Sequence, residues 1–113
     1  MLFLLAAQLA APLAPPSAAS SDQDRVTAAE VLAYAQWRNC VLKVTHHTSR
    51  RIKDHEAVAD AAIAGCAARE ADYRASLKEL ARLYRLKDSD GFAARTSGQA
   101  RKTLRDMALK ELK

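Results

Sequence analysis

Proline and glycine are scarce in this chain. Each occurs three times in 113 residues, and every proline precedes residue 17. A sequence without glycine and proline punctuation at short, regular intervals does not build a sandwich or barrel of short strands. Its wealth of Ala, Leu, Arg, Lys and Glu favours helix instead. Aromatic residues make up only 5% of the chain, with one Trp. Alanine is the largest part of the 50% hydrophobic content, and it adds little burial per residue. A single domain of this size buries roughly 60–65% of its unfolded surface and is marginally stable.

Cysteine is nearly absent. Cys40 and Cys66 are the only two. No Cys-x-x-Cys is present, which argues against a thioredoxin-like redox centre, and without Cys-x-x-Cys-His there is no covalent haem attachment. No glycine-rich phosphate loop and no His-x-x-x-His pair occurs. His46, His47 and His55 lie close in sequence, with Asp54 and Glu56 beside the third. Adjacent histidines on a helix point in different directions, so these read as solvated turn residues and no metal or other cofactor is expected. The run Asp88-Ser89-Asp90-Gly91 has a superficial likeness to a calcium loop, but its spacing supplies neither the first Asp nor the twelfth-position Glu. Serines and threonines cluster where helix caps are expected, and carboxylates alternate with Lys and Arg, so an enzyme is not expected.

Residues 2–14 form an uncharged apolar run, broken by Pro15 and Pro16 and followed by the small residues Ser17, Ala18 and Ala19. That is the layout of a secretory signal peptide cleaved after Ala19, although no Lys or Arg precedes the run. The run is too short to span a bilayer, which takes about 20 residues. The expected organisation is therefore a signal peptide at 1–19 and a single small helical domain at 20–113, exported to the periplasm or secreted. Two cysteines in an oxidising compartment read as one Cys40–Cys66 disulfide.

Three helices are expected in the exported part. Thr27 and Glu30 have the spacing of a capping box, placing a first helix over about 28–46. Its apolar stripe is Ala29, Leu32, Ala33, Trp37, Cys40, Val41 and Val44. The polar segment 45–51 is the turn, with Thr48 or Ser49 capping a long second helix over about 50–88. That helix carries the stripe Ile52, Ala59, Ile63, Cys66, Tyr73, Leu77, Leu80 and Tyr84, and Gly65 is the place for a bend. Gly91 suits the left-handed position that ends it, with Phe92 folding back on Leu86. A shorter third helix follows over about 98–112, with Ala100, Leu104, Met107, Ala108 and Leu112 on one face. The fold class is thus all-α: an antiparallel helical hairpin pinned by one disulfide, plus a shorter C-terminal helix. If Cys40 faces Cys66, Val44 meets Ala62, Ala33 meets Tyr73 and Ala29 meets Leu77, small residue against larger.

Charge is divided unevenly. Residues 20–73 carry seven Lys or Arg and eight Asp or Glu, whereas residues 74–113 carry eleven and five. Two functional expectations follow, both of a non-enzymatic protein that acts by binding. The first is a protein-interaction module of the cell envelope, an adaptor or inhibitor. Its partner would meet Tyr73, Leu77, Leu80 and Tyr84, where the second helix outruns the first. The alternative is an electrostatic binder of anionic membrane or envelope surface through the basic C-terminal half, with Arg82, Arg85, Lys87, Arg101, Lys102 and Arg105 making the contact. Export and the lack of aromatic interleaving speak against nucleic acid.

Overall fold

The computed structural model of the chain describes residues 18–113. Most of the expected signal peptide, residues 1–19, lies outside them. Four helices follow in order: α1 (Ala18–Thr48), α2 (His55–Gly65), α3 (Ala67–Leu83) and α4 (Ser89–Glu111). Among the described residues there is no strand, and no helix is long and apolar enough to cross a membrane. α2 and α3 run one after the other, antiparallel to α1. α4 then returns along α3 and α2, so the three layers form an up-down-up bundle. The expected all-α, disulfide-pinned hairpin with a further C-terminal helix is what the chain forms.

α1 is longer than expected at its start. No glycine or proline interrupts residues 18–27, so Thr27 sits inside the helix and its capping-box spacing is not used. The buried stripe runs through Val26, Ala33, Trp37, Val41, Thr45 and Thr48, a spacing of three, four or seven residues. Leu32, next to Ala33, is rotated about 100° out of that stripe and is 58% exposed. Ala29 also faces solvent, so its expected contact with Leu77 is not made by a buried pair. Thr45 tolerates burial because its hydroxyl donates to the Val41 carbonyl at 2.7 Å. Thr48 closes α1 rather than opening the next helix.

The second helix opens at His55, where the Asp54 side chain caps it by accepting from the Glu56 amide at 3.1 Å. It is not continuous. Cys66 interrupts it, with φ −109° and ψ 23°, and its amide is shared between the carbonyls of Ala62 and Ile63. Gly65 precedes the break, one residue from the Cys40–Cys66 bond. Glycine is the weakest helix former but proline. A Cβ at Gly65 would sit 3.7 Å from the Val44 side chain, so α1 and α2 pass close together here. The disulfide joins α1 to the break itself, with Cα atoms 6.0 Å apart.

α3 ends in a Schellman turn. The Leu86 amide donates to the Ala81 carbonyl at 2.9 Å and the Arg85 amide to Arg82 at 3.1 Å. Arg85 takes the left-handed conformation, φ 57°, that had been expected of Gly91. Gly91 instead lies in the first turn of α4. There its amide donates to the capping Asp88 carboxylate at 2.9 Å. A Cβ on Gly91 would fall 2.6 Å from Asp88 Cγ, so a larger residue here would displace the exposed Asp88 side chain. With Asp88 as its cap, α4 starts nine residues earlier than the expected residue 98.

The core lies where all layers meet. Trp37 and Val41 of α1, Ala59 and Ala62 of α2, Tyr73 and Leu77 of α3, and Ala93, Leu104 and Ala108 of α4 are all buried. The Tyr73 ring stacks obliquely on Trp37 at 5.6 Å and on Tyr34 at 5.5 Å. Burial, with the Glu30 carboxylate and Tyr34 adding to it, pushes the Tyr73 phenol up to about 12.

Candidate functional site

The expected partner-facing stripe divides in two. Tyr73 and Leu77 are 5% and 2% exposed, because the Tyr73 ring packs on Trp37 and Tyr34 of α1 and both residues belong to the core that Ala93 and Leu104 of α4 complete. Leu80 is half-buried. Tyr84 is exposed at the end of α3, two residues from the equally exposed Leu86. The stripe is therefore core for most of its length, and only its last turn remains outside.

The basic residues of α3 and α4 mostly face carboxylates of their own chain. The Glu70 carboxylate, little exposed, accepts from Arg101 through both Nε and Nη2, and Arg74 Nη2 approaches it at 3.5 Å. Its hydrogen bond holds Arg101 even more firmly charged than an ordinary guanidinium. Arg105 Nε donates to Asp60 at 2.8 Å, with the same direction of effect on Arg105. Arg82 pairs with Glu79 at 2.8 Å, Lys78 with Asp90 at 3.5 Å and Arg95 with Asp88 at 3.9 Å. Of the six cations expected to form an anion-binding face, Arg82, Arg101 and Arg105 are thus engaged within the chain. Arg85, Lys87 and Lys102 have no carboxylate in range among the described residues, but they are not gathered. Arg85 and Lys87 lie at the α3–α4 corner, and Lys102 lies midway along α4.

A longer run of unpaired cations lies elsewhere in the sequence. From Val31 to Lys53 the chain contains no Asp or Glu, yet it holds Arg38, Lys43, Arg50, Arg51 and Lys53. None of these five pairs with a carboxylate among the described residues. Arg50, Arg51 and Lys53 are exposed on the short connection between α1 and α2. That connection is held from within. Arg51 and Ile52 amides donate to the Thr48 carbonyl at 3.0 Å, and the Ser49 hydroxyl donates to His46. Sequence reading missed this cluster because residues 20–73 average to near neutrality, hiding a carboxylate-free block between two acidic ones. The missed signal was the 31–53 stretch itself.

Other candidates are slight. A shallow groove of about 510 Å3 lies beside the disulfide, lined by Gln36, Asn39, Lys43 and Arg69, with Arg69 donating to Gln36 at 3.3 Å. The three histidines are exposed at the hairpin end. Among the described residues no three His, Cys, Asp or Glu side chains come together as metal ligands would. Comparison with protein-family models, with curated proteins and with solved structures gives no match to this chain.

Proposed function

We infer that the chain is a small exported, non-enzymatic protein that works by binding an anionic partner at the cell envelope. The observation that carries this is the run of five cations from Arg38 to Lys53, none of which has a carboxylate within 4 Å among the described residues. Leaving such charges unpaired creates a field that attracts anions. A non-enzymatic role is supported by how the inner polar groups are used. Glu70, little exposed, holds Arg101, the Thr45 hydroxyl is bonded to the backbone, and the Ser97 hydroxyl accepts from Arg74 Nε at 3.3 Å. Export is supported by the apolar leader and by a disulfide that suits an oxidising compartment.

Binding of the oxidised protein to an envelope fraction, measured at low and at physiological salt, tests this reading. Retention should fall steeply as salt rises, because exposed charges are screened over about 10 Å at 0.1 M. Salt-insensitive retention would overturn it. That result would favour a second reading, a protein-interaction module whose interface is the α3–α4 corner, where Tyr84 and Leu86 are 54% and 44% exposed. N-terminal sequencing of exported protein should begin at Ser20.

A further inference from the structure

We propose that the end of the bundle formed by the α1–α2 connection docks end-on against an anionic phospholipid surface. Arg50, Arg51 and Lys53 would contact lipid phosphates and Ile52 would enter the headgroup layer. The proposal rests on the reading above that the partner is anionic, and it names that partner's chemistry and the surface that meets it.

Three features of this end support a membrane over a soluble polyanion. First, Arg50, Arg51 and Lys53 are exposed, and among the described residues no carboxylate and no side-chain hydrogen bond holds them. Second, a large apolar residue stands between them. Ile52 is 38% exposed. Cations beside an outward-facing apolar side chain suit an interface that is charged at the surface and apolar just below it. Third, the connection lies at an extremity of an elongated bundle. The C-terminal turn of α4 closes beside it, where Glu111 and Leu112 border the same concavity as Ser49, Ile52, Lys53 and His55. Lys110 and Lys113 flank those two residues. The acidic groups at this end are Asp54, Glu56 and Glu111, and Asp54 is turned to its own helix as a cap. A flat surface can meet the projecting connection without meeting the sides of α2 and α3, where Asp60, Glu70 and Asp72 lie.

Flotation of the oxidised full chain with vesicles tests the proposal. One set is phosphatidylcholine alone and the other is phosphatidylcholine and phosphatidylglycerol in equal parts. The protein should float with the second set only, and less so as salt rises. The variant Arg50→Gln/Arg51→Gln/Lys53→Gln should lose on the order of a hundredfold in affinity, about fivefold for each basic residue removed. The charge-matched variant Arg85→Gln/Lys87→Gln/Lys102→Gln should lose less than a tenth of that. Ile52→Ser should cost a smaller factor at every salt concentration. Urea midpoints of the variants show whether any of them loses binding by unfolding. Equal losses in the two triple variants would overturn the proposal. So would a protein that binds dextran sulfate in a salt-dependent way but ignores both vesicle sets, a result that leaves the anionic-partner reading standing. Binding to neither the vesicles nor dextran sulfate would remove both.

Discussion

Breaking the Cys40–Cys66 bond should remove a large part of this protein's stability, and the structure sets the size. The cysteines are 26 residues apart in sequence. For a loop of that length, the chain-entropy argument gives about 3.5 kcal/mol of destabilisation of the unfolded state. A domain of this size has roughly 5–15 kcal/mol in all, and this core is built largely of alanine. The core residues near the bond, Trp37, Val41, Ala62 and Tyr73, stay in place only while α1 lies against the α2–α3 break. The bond holds that approach at the point where the second helix has no continuous hydrogen-bond ladder of its own.

The assay is urea unfolding followed by far-UV circular dichroism, on the oxidised chain, the reduced chain and Cys40→Ala/Cys66→Ala. Alanine is the better replacement because Cys66 is 1% exposed, and a serine there would bury a hydroxyl. With a urea dependence of about 1.5–2 kcal/mol per molar, the midpoint should fall by about 2 M in both forms that lack the bond. Coincident midpoints for the oxidised and reduced chains would refute the reasoning. A fall in the alanine variant without one in the reduced chain would assign the loss to packing of the sulfur atoms.

Four other outcomes follow from the structure. Glu70→Gln should cost about 1–2 kcal/mol in urea unfolding, and a double-mutant cycle with Arg101→Gln should recover part of it, since Glu70 serves two arginines. Stability should fall as pH rises from about 10 to 12: the unfolded Tyr73 ionises near 10 while the folded one keeps its proton to about 12, a difference worth about 3 kcal/mol. In Tyr73→Phe that alkaline loss should be missing, as pH-dependent thermal melts would show. Gly98→Ala should stabilise by about 1 kcal/mol, because nothing lies within 4 Å of the added methyl, whereas Gly91→Ala should gain nothing, its helix preference being offset by the displaced Asp88 cap. Arg85→Gly should stabilise by about 1 kcal/mol by relieving the left-handed conformation, readable as a higher urea midpoint.

The pairing of Cys40 with Cys66 and the antiparallel hairpin were legible because they depend on few facts: two cysteines, and apolar stripes of helical period on both sides. Helix limits were less legible for a physical reason. A capping pattern such as Thr27–Glu30 stabilises a helix start only where the upstream chain does not itself continue as helix, and residues 18–26 do continue. Gly91 was read by the property that glycine most often supplies, a positive φ. Its use here is the absence of a Cβ beside Asp88, which is a contact and leaves no local pattern. The left-handed residue is an arginine, which no propensity scale marks. The candidate interface shrank for a packing reason: the Tyr73 ring lies on Trp37 and Tyr34 of α1, and Leu77 shares the core with Ala93 of α4, so both are buried.

Charge shows how the fold changes what a sequence count means. The acidic stretch 54–73 and the basic helix α4 look like separate surfaces until they are packed together, when Asp60 and Glu70 become the counter-ions of Arg105 and Arg101. An anion that bound to those arginines would have to displace carboxylates already in place, and a carboxylate held within the fold competes at a high effective concentration. The cations between Arg38 and Lys53 face no such competitor. Those of the α1–α2 connection also have little to offer the fold beyond a favourable interaction with the C-terminal end of α1, worth about 0.3–1 kcal/mol at an exposed site. The two groups should therefore respond differently to salt. The arginines of α4 contribute to stability, which changes little with ionic strength where Glu70 is shielded from solvent. The residues of the α1–α2 connection should govern ligand retention, which falls with ionic strength. A salt titration that moved folding and binding in parallel would contradict this separation.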